Sequence, residues 1–96
     1  MLIKPIHIVL ADDDNDDCLL FEEALNELLL PNQLTVVNDG EQLMLYLHEN
    51  TTQLPGVLFL DLNIPRKNGI ECLAEIKEDP ELKNLPVVIF SHNGCA

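Results

Sequence analysis

The chain has 96 residues, which is enough for one domain with a modest hydrophobic core, and we expect a single domain over residues 1–96. Hydrophobic residues make up 47% and charged residues 23%, a balance typical of a folded domain and not of a disordered chain. The net charge is −12, from 17 acidic and 5 basic side chains. This charge argues against direct binding to nucleic acids or anionic membranes, and it favours divalent cations or basic partner surfaces.

Neither a membrane span nor a secretion signal is visible in the sequence. No apolar run approaches the ~20 residues that cross a bilayer, and residues 1–5 lack the charged start and long apolar stretch of a signal peptide. The three cysteines, Cys18, Cys72 and Cys95, form no C-x-x-C pair, which favours free thiols in a reducing compartment. We therefore expect a cytoplasmic protein in which Cys18 and Cys72 are packing residues.

The first half of the chain predicts two strand and helix pairs. Ile6–Ala11 is a short apolar run that predicts a buried strand, and residues 16–30 predict a helix that stops at Pro31. The apolar residues of this helix recur at helical spacing: Leu20, Phe21, Ala24, Leu25, Leu28 and Leu29. Residues 34–37 predict a second strand, followed by an Asn-Asp-Gly turn and a helix over residues 41–49 whose inner face carries Leu43, Met44 and Leu47.

The second half continues the alternation. Residues 57–60 predict a third buried strand ending at Asp61, and residues 86–91 predict a fourth. Between them lies a loop from Pro65 to Gly69, where we expect Gly69 to need a positive φ, and then a helix over residues 70–77 that packs through Ile70, Leu73 and Ile76. Continuous apolar strands alternating with helices indicate an α/β fold with a parallel sheet covered on both faces.

Oxygen-bearing side chains follow three of the predicted strands. Asp12 and Asp13 follow the first strand, Asp61 ends the third, and Ser91 ends the fourth. Ligands of parallel α/β sheets bind at the carboxyl ends of the strands. Clustered carboxylates repel each other unless a cation lies between them, and an oxygen-only set favours Mg²⁺. An aspartate beside the metal can then act as a nucleophile toward phosphorus, with the Ser91 hydroxyl contacting a phosphoryl oxygen.

Each of these residues also has a purely structural interpretation. The acidic run at residues 12–17 is equally consistent with a solvated helix start favoured by the helix dipole. Asp61 is consistent with a cap for the following loop, and a hydroxyl such as that of Ser91 often bonds nearby backbone. The pattern alone leaves both interpretations open.

Four segments together resemble the receiver domain of response regulators from two-component signalling. They are residues 11–14 (ADDD), 57–61 (VLFLD), 62–69 (LNIPRKNG) and 86–91 (PVVIFS). Residues 60–71 and 76–82 further resemble the single-domain regulators that partner bacterial phytochrome histidine kinases. The resemblance implies a flavodoxin-like, doubly wound parallel sheet with strand order 2-1-3-4-5.

The resemblance also implies a role for each site residue. Asp61 would be the phosphoacceptor, Asp13 would bind Mg²⁺ through its carboxylate, and Asp12 would assist. Asn63 would offer its main-chain carbonyl to the same ion. Ser91 would contact the phosphoryl group and shift when the domain switches.

The sequence departs from the family pattern near its end. A complete receiver continues into a fourth helix, a fifth strand that ends with a phosphate-pairing lysine, and a fifth helix, and no residue here matches that lysine. His92 also stands where the family has a small residue. We therefore expect a receiver fold truncated after the fourth strand, with that strand as an exposed edge through which the chain self-associates.

Two functional hypotheses follow from these features. The first is a non-enzymatic signalling switch that takes a phosphoryl group on Asp61 from a histidine kinase or phosphotransfer protein and is read by a downstream protein. The alternative is a receiver-like binding or dimerisation module that no longer accepts phosphate. A haloacid dehalogenase type of phosphohydrolase would need a second acidic residue at the position of Asn63.

Overall fold

A computed structural model of the chain describes residues 4–91. Four strands alternate with three helices in the order β1 (Ile6–Ala11), α1 (Asn15–Asn26), β2 (Asn32–Val37), α2 (Gly40–Glu49), β3 (Val57–Asp61), α3 (Gly69–Glu78) and β4 (Val87–Phe90). All strands are parallel and lie in the order β2-β1-β3-β4. The predicted doubly wound, flavodoxin-like α/β fold is confirmed, and the elements described end with β4.

The main hydrophobic core lies between one face of the sheet and the helices α2 and α3. Its fully buried members include Val9, Leu43, Leu47, Leu58, Leu60 and Ile76. The predicted inner face of α2 is confirmed, because Leu43, Met44 and Leu47 are all buried. The prediction for Ile70 was wrong, since its side chain is 64% exposed in the first turn of α3. Cys72 is fully buried two residues later, and burial raises the pKa of its thiol to about 11, as expected for a packing cysteine.

Helix α1 covers the opposite face of the sheet through few residues. Phe21 packs edge-to-face against Phe59 of β3 with ring centroids 4.9 Å apart, and Leu25 is buried. Two other apolar residues at the helical spacing lie largely in solvent: Leu20 is 63% exposed and Ala24 is exposed. Much of the apolar surface of α1 therefore faces solvent in the described part of the chain.

The predicted end of α1 was also wrong. The helix ends at Asn26, and residues 28–30 are exposed leucines outside it. The side-chain amide of Asn32 donates to the main-chain carbonyls of Leu25 and Leu30 at 3.2 and 3.1 Å. These bonds satisfy a helix-end carbonyl and turn the chain back, so that β2 begins at Asn32 and not at the predicted residue 34.

Gly69 has a different role from the one predicted. None of the glycines among residues 4–91 has a positive φ, and the left-handed position of this loop is Arg66, with φ of 68°. A Cβ on Gly69 would lie 2.5 Å from the Cα of Leu62 and 2.6 Å from the main-chain oxygen of Asp61. Gly69 therefore allows α3 to begin directly against the end of β3, which fixes the loop after Asp61.

None of the helices within residues 4–91 is long and apolar enough to cross a membrane.

Candidate metal and phosphoacceptor site

Asp12 and Asp13 are placed by the end of β1. The main-chain N–H of Asp12 donates to the carbonyl of Val37 at 3.0 Å, which extends the pairing of β1 with β2 by one residue. The Asp12 side chain is 1% exposed, and its Oδ1 accepts from the N–H of Asp14 at 3.0 Å. Asp14 itself caps α1 by accepting from the N–H groups of the helix's first turn. This arrangement leaves Asp13 exposed at the rim of the site.

Asp61 is the last residue of β3, next to β1 in the sheet. Its side chain is 1% exposed, and its Oδ1 accepts from the main-chain N–H of Asn63 at 2.9 Å. Carboxylate oxygens of Asp12, Asp13 and Asp61 all lie within 4.8 Å of one another. The structure thus brings the carboxylate of Asp61 next to those of Asp12 and Asp13, which lie 49 and 48 residues earlier in the sequence.

The composition of this cluster determines which ion it fits. Two of the three carboxylates are almost fully buried, and burial without a counter-charge is costly for an ionised group. The donor set consists of carboxylate oxygens alone, which suits a hard divalent cation such as Mg²⁺ and does not suit a zinc site. Because Asp13 is exposed, the cluster opens to solvent on one side. The residues present therefore fit a hydrated divalent cation.

Asn63 links the phosphoacceptor candidate to Ser91. Its main-chain N–H bonds Asp61, and its side-chain amide donates to the Oγ of Ser91 at 2.7 Å. Ser91 directly follows β4, which lies next to β3. All five site residues predicted from the sequence therefore meet at one end of the sheet. Their individual roles stay predictions, and His92 lies outside the described residues.

Cys18 lies beside the acidic cluster and is partly buried. Its thiol donates to the main-chain oxygen of Asp12 at 3.6 Å. Burial, and secondarily the carboxylate of Asp12 and its acidic neighbours, raises the pKa of this thiol. Cys18 is therefore a neutral packing group and weak donor at neutral pH.

Lys67 points toward helix α3. Its ammonium forms a hydrogen-bonded ion pair with Glu75, whose other oxygen bonds His48 of α2 at 3.1 Å. The bond raises the pKa of Lys67 and, together with His48, lowers the pKa of Glu75. This lysine is therefore engaged in joining the loop to α3, which agrees with the expectation that no residue of the sequence matches the phosphate-pairing lysine of the family.

Sequence reasoning missed one residue that contacts the site. The side-chain amide of Asn38 donates to the main-chain oxygen of Asp12 at 3.0 Å. The Asn-Asp-Gly segment indicated a turn and nothing more. Asn38 follows β2, the neighbour of β1, so the strand-end rule that selected Asp12 and Asp61 applies to it equally.

The comparisons with known proteins bear on the same residues. The sequence model for the response regulator receiver domain matches residues 8–95. The chain belongs to this family. The match contains both acidic segments of the site and all four strands except the first two residues of β1.

Response regulators, some of them phytochrome response regulators, are among the similar proteins. The response regulator Rcp1 of Synechocystis sp. is 40% identical over 96 residues, which covers 93% of this chain. The structure of the phosphorylated cyanobacterial phytochrome response regulator RcpA matches 92% of the chain with a TM-score of 0.85 and 40% identity. The Mn²⁺-bound form of Rcp1 matches 93% with a TM-score of 0.84 and 38% identity. The predicted resemblance to this group is confirmed.

The chain spans about two thirds of these relatives, namely 65% of the Rcp1 sequence, 66% of the RcpA chain and 68% of the Rcp1 chain in the Mn²⁺ structure. The chain is thus a receiver domain of two-component signalling, and its similarity to those proteins covers more than 90% of its own length.

Proposed function

We propose that this receiver domain takes a phosphoryl group on Asp61 from a phosphohistidine of a histidine kinase or phosphotransfer protein. The observation that carries the proposal is the cluster of Asp12, Asp13 and Asp61, whose oxygens lie within 4.8 Å of one another. Asp61 is held by the N–H of Asn63 at the end of β3. The similarity to the phytochrome response regulator RcpA favours a kinase of the phytochrome type as donor.

The chemistry requires a nucleophile and compensation for charge. A carboxylate oxygen of Asp61 forms a bond to phosphorus while the bond from phosphorus to the donor's histidine nitrogen breaks, and that nitrogen keeps the electron pair and takes a proton. Asp12, Asp13, Asp61 and the main-chain carbonyl of Asn63 would hold the Mg²⁺. When bound, Mg²⁺ supplies positive charge that offsets the charge on the transferred group.

Ser91 contributes a second hydrogen-bonding group, which is linked to Asp61 through Asn63. Its Oγ accepts from Asn63 at 2.7 Å, and a hydroxyl in this position can donate its own hydrogen to a phosphoryl oxygen. Phosphorylation adds charge and acceptor oxygens next to this bond, which biases the position of Ser91. The domain then acts as a switch, not as an enzyme with a released product. A downstream protein, and not nucleic acid, would recognise the change, given the net charge of −12.

A divalent-metal titration tests the acidic cluster. Asp13→Asn is expected to weaken Mg²⁺ binding at least about tenfold, because it removes a charged ligand and leaves the fold intact at an exposed position. Isothermal titration calorimetry measures the affinity. Asp14→Asn is the matched control, since it removes the same charge one residue away and asparagine still caps α1. Equal affinity losses in both variants would mean that net charge, not the cluster, attracts the ion.

We also propose self-association through β4 as a second property. Within residues 4–91, β4 pairs only with β3 and forms one edge of the sheet, and Val88 and Ile89 are 45% and 49% exposed. An apolar edge strand favours pairing with another strand. This edge supports the alternative of a binding or dimerisation module that uses the receiver scaffold without phosphate transfer.

Sedimentation velocity of the 96-residue chain tests this second proposal. A dimer or larger species is expected at micromolar concentration, and a lysine in place of Ile89 is expected to shift the population toward the monomer, since charged edges resist pairing. A monodisperse monomer of the unaltered chain at this concentration would rule the proposal out.

A further inference from the structure

The loop between β2 and α2 contributes none of the predicted site residues, yet it contacts both the segment that follows β1 and the loop that follows β3. The sheet order places β2 next to β1, with β3 on the far side of β1. Asp12 follows β1 and Asp61 ends β3. The loop between β2 and α2 comprises Asn38 and Asp39. It contacts the residue that follows β1 and also the loop that follows β3.

On the β1 side, the contact is made by Asn38. Its side-chain amide donates to the main-chain oxygen of Asp12 at 3.0 Å. Asp12 is also tied to the end of β2, because its N–H donates to Val37 at 3.0 Å. The peptide groups on both sides of the Asp12 Cα are therefore anchored from β2 and the residue that follows it, which fixes the direction of the Asp12 side chain.

Asn38 is itself held by the first turn of α2. Its main-chain N–H donates to the Oε1 of Gln42 at 3.1 Å. The N–H of Gln42 in turn donates to the Oδ1 of Asp39 at 2.8 Å, which caps the helix. Asn38 therefore has a fixed main chain, and its side-chain amide is aimed at the main-chain oxygen of Asp12.

On the β3 side, the contacts run to the loop that follows Asp61. The N–H of Gly40 donates to the carbonyl of Pro65 at 3.2 Å. A Cβ on Gly40 would lie 1.7 Å from the carbonyl oxygen of Lys67, so the two backbones are in direct contact. Arg66 adds an ion pair to Asp39, with Nε and Oδ2 3.5 Å apart. The start of α2 is thereby fixed against the loop after β3.

We propose that Asn38 is a positioning residue for the divalent-cation site. It acts through the main chain of Asp12 and touches no cation itself. Together with the contacts of Gly40 it sets the separation between the carboxylates of Asp12 and Asp61. Groups that orient metal ligands from outside the coordination sphere contribute strongly to metal affinity. The inference rests on the proposed function, because it concerns the same cation site.

The test compares two asparagine variants. In Asn38→Ala the amide bond to Asp12 is lost. In Asn50→Ala the matched bond at the other end of α2 is lost, where the amide of Asn50 donates to the carbonyl of Tyr46 at 2.7 Å. Both variants should lower the melting temperature of the metal-free chain by a similar amount, roughly 4–8 °C. Only Asn38→Ala should weaken Mg²⁺ binding, by about tenfold, in calorimetric titration.

The outcomes separate this inference from the proposed function. Selective loss of affinity in Asn38→Ala supports the positioning role, since a merely structural residue would change stability alone. Unchanged affinity in Asn38→Ala, with normal binding by the unaltered chain, would overturn the positioning role and leave the proposed cation site standing. Absence of Mg²⁺ binding by the unaltered chain would overturn both.

Discussion

The Asp61→Asn variant is expected to lose phosphoryl transfer completely. With acetyl phosphate and Mg²⁺, the unaltered chain should gain the mass of one phosphoryl group, and the variant should gain none. The reason is chemical, because a carboxamide lacks the anionic oxygen that attacks phosphorus. The amide oxygen can still accept from the N–H of Asn63, so the loop after β3 should keep its position. Intact-mass spectrometry measures the outcome directly.

The same variant, compared with a second aspartate variant, shows whether the effect belongs to the acidic cluster or to the acidic surface in general. Removing one of three clustered charges lowers their mutual repulsion, so the metal-free variant should be at least as stable as the unaltered chain. Asp14→Asn serves as the control, and it should be phosphorylated normally, because Asp14 caps α1 and lies outside the cluster. Modification of Asp61→Asn to the same extent as the unaltered chain would place the phosphoacceptor elsewhere.

The second large effect is expected for Gly40→Ala. The added methyl group would lie 1.7 Å from the carbonyl oxygen of Lys67, which is backbone and cannot rotate away. Either α2 or the loop after β3 must move, and a contact this short with backbone puts the cost at the upper end of the about 1–3 kcal/mol that is typical of overpacking. The gain in helix propensity from glycine to alanine, about 1 kcal/mol, offsets only part of this cost. Urea unfolding should show a lower midpoint with an unchanged slope.

Gly56→Ala is the matched control for this prediction. Its Cβ would meet the Cγ1 of Ile6 at 3.1 Å, a side-chain atom that can shift, and Gly56 is exposed. The expected change in unfolding free energy is within about 1 kcal/mol. Equal stability losses in the two variants would contradict the claim that α2 and the loop after β3 are held by direct backbone contact at Gly40.

The sequence was sufficient to predict the arrangement that forms the candidate site. Strands β1, β3 and β4 each contain an apolar run of four residues, and the helices between strands show helical spacing, so the order of elements follows from composition and period. Parallel strands end at one edge of the sheet, and this single rule brings Asp12, Asp61 and Ser91 together although up to 79 residues separate them. The order of elements depends on the local sequence pattern, and the meeting of the site residues depends on a rule that holds for all parallel sheets.

The features that were mispredicted depend on contacts between one element and the next, not on the pattern within a single element. Nothing local stops α1 at Asn26, since the leucines at 28 and 29 continue the helical spacing, and the amide of Asn32 turns the chain back. The need for glycine at position 69 comes from the closeness of α3 to the end of β3, not from its own φ.

Asn38 illustrates the same limit at the site. Its contact with Asp12 joins residues 26 apart, and an Asn-Asp-Gly segment indicates a turn whether or not its asparagine reaches a neighbouring loop.

The most direct test of the central claim, that the acidic cluster is an assembled cation and phosphoryl site, is thermal unfolding of the unaltered chain in three conditions. These are no metal, millimolar Mg²⁺, and Mg²⁺ with beryllofluoride, a mimic of the phosphoryl group. A ligand at about 100 times its dissociation constant adds about 2.7 kcal/mol to the free energy of unfolding. We predict a rise in melting temperature with Mg²⁺ and a further rise with beryllofluoride. A melting temperature that responds to neither would contradict the account.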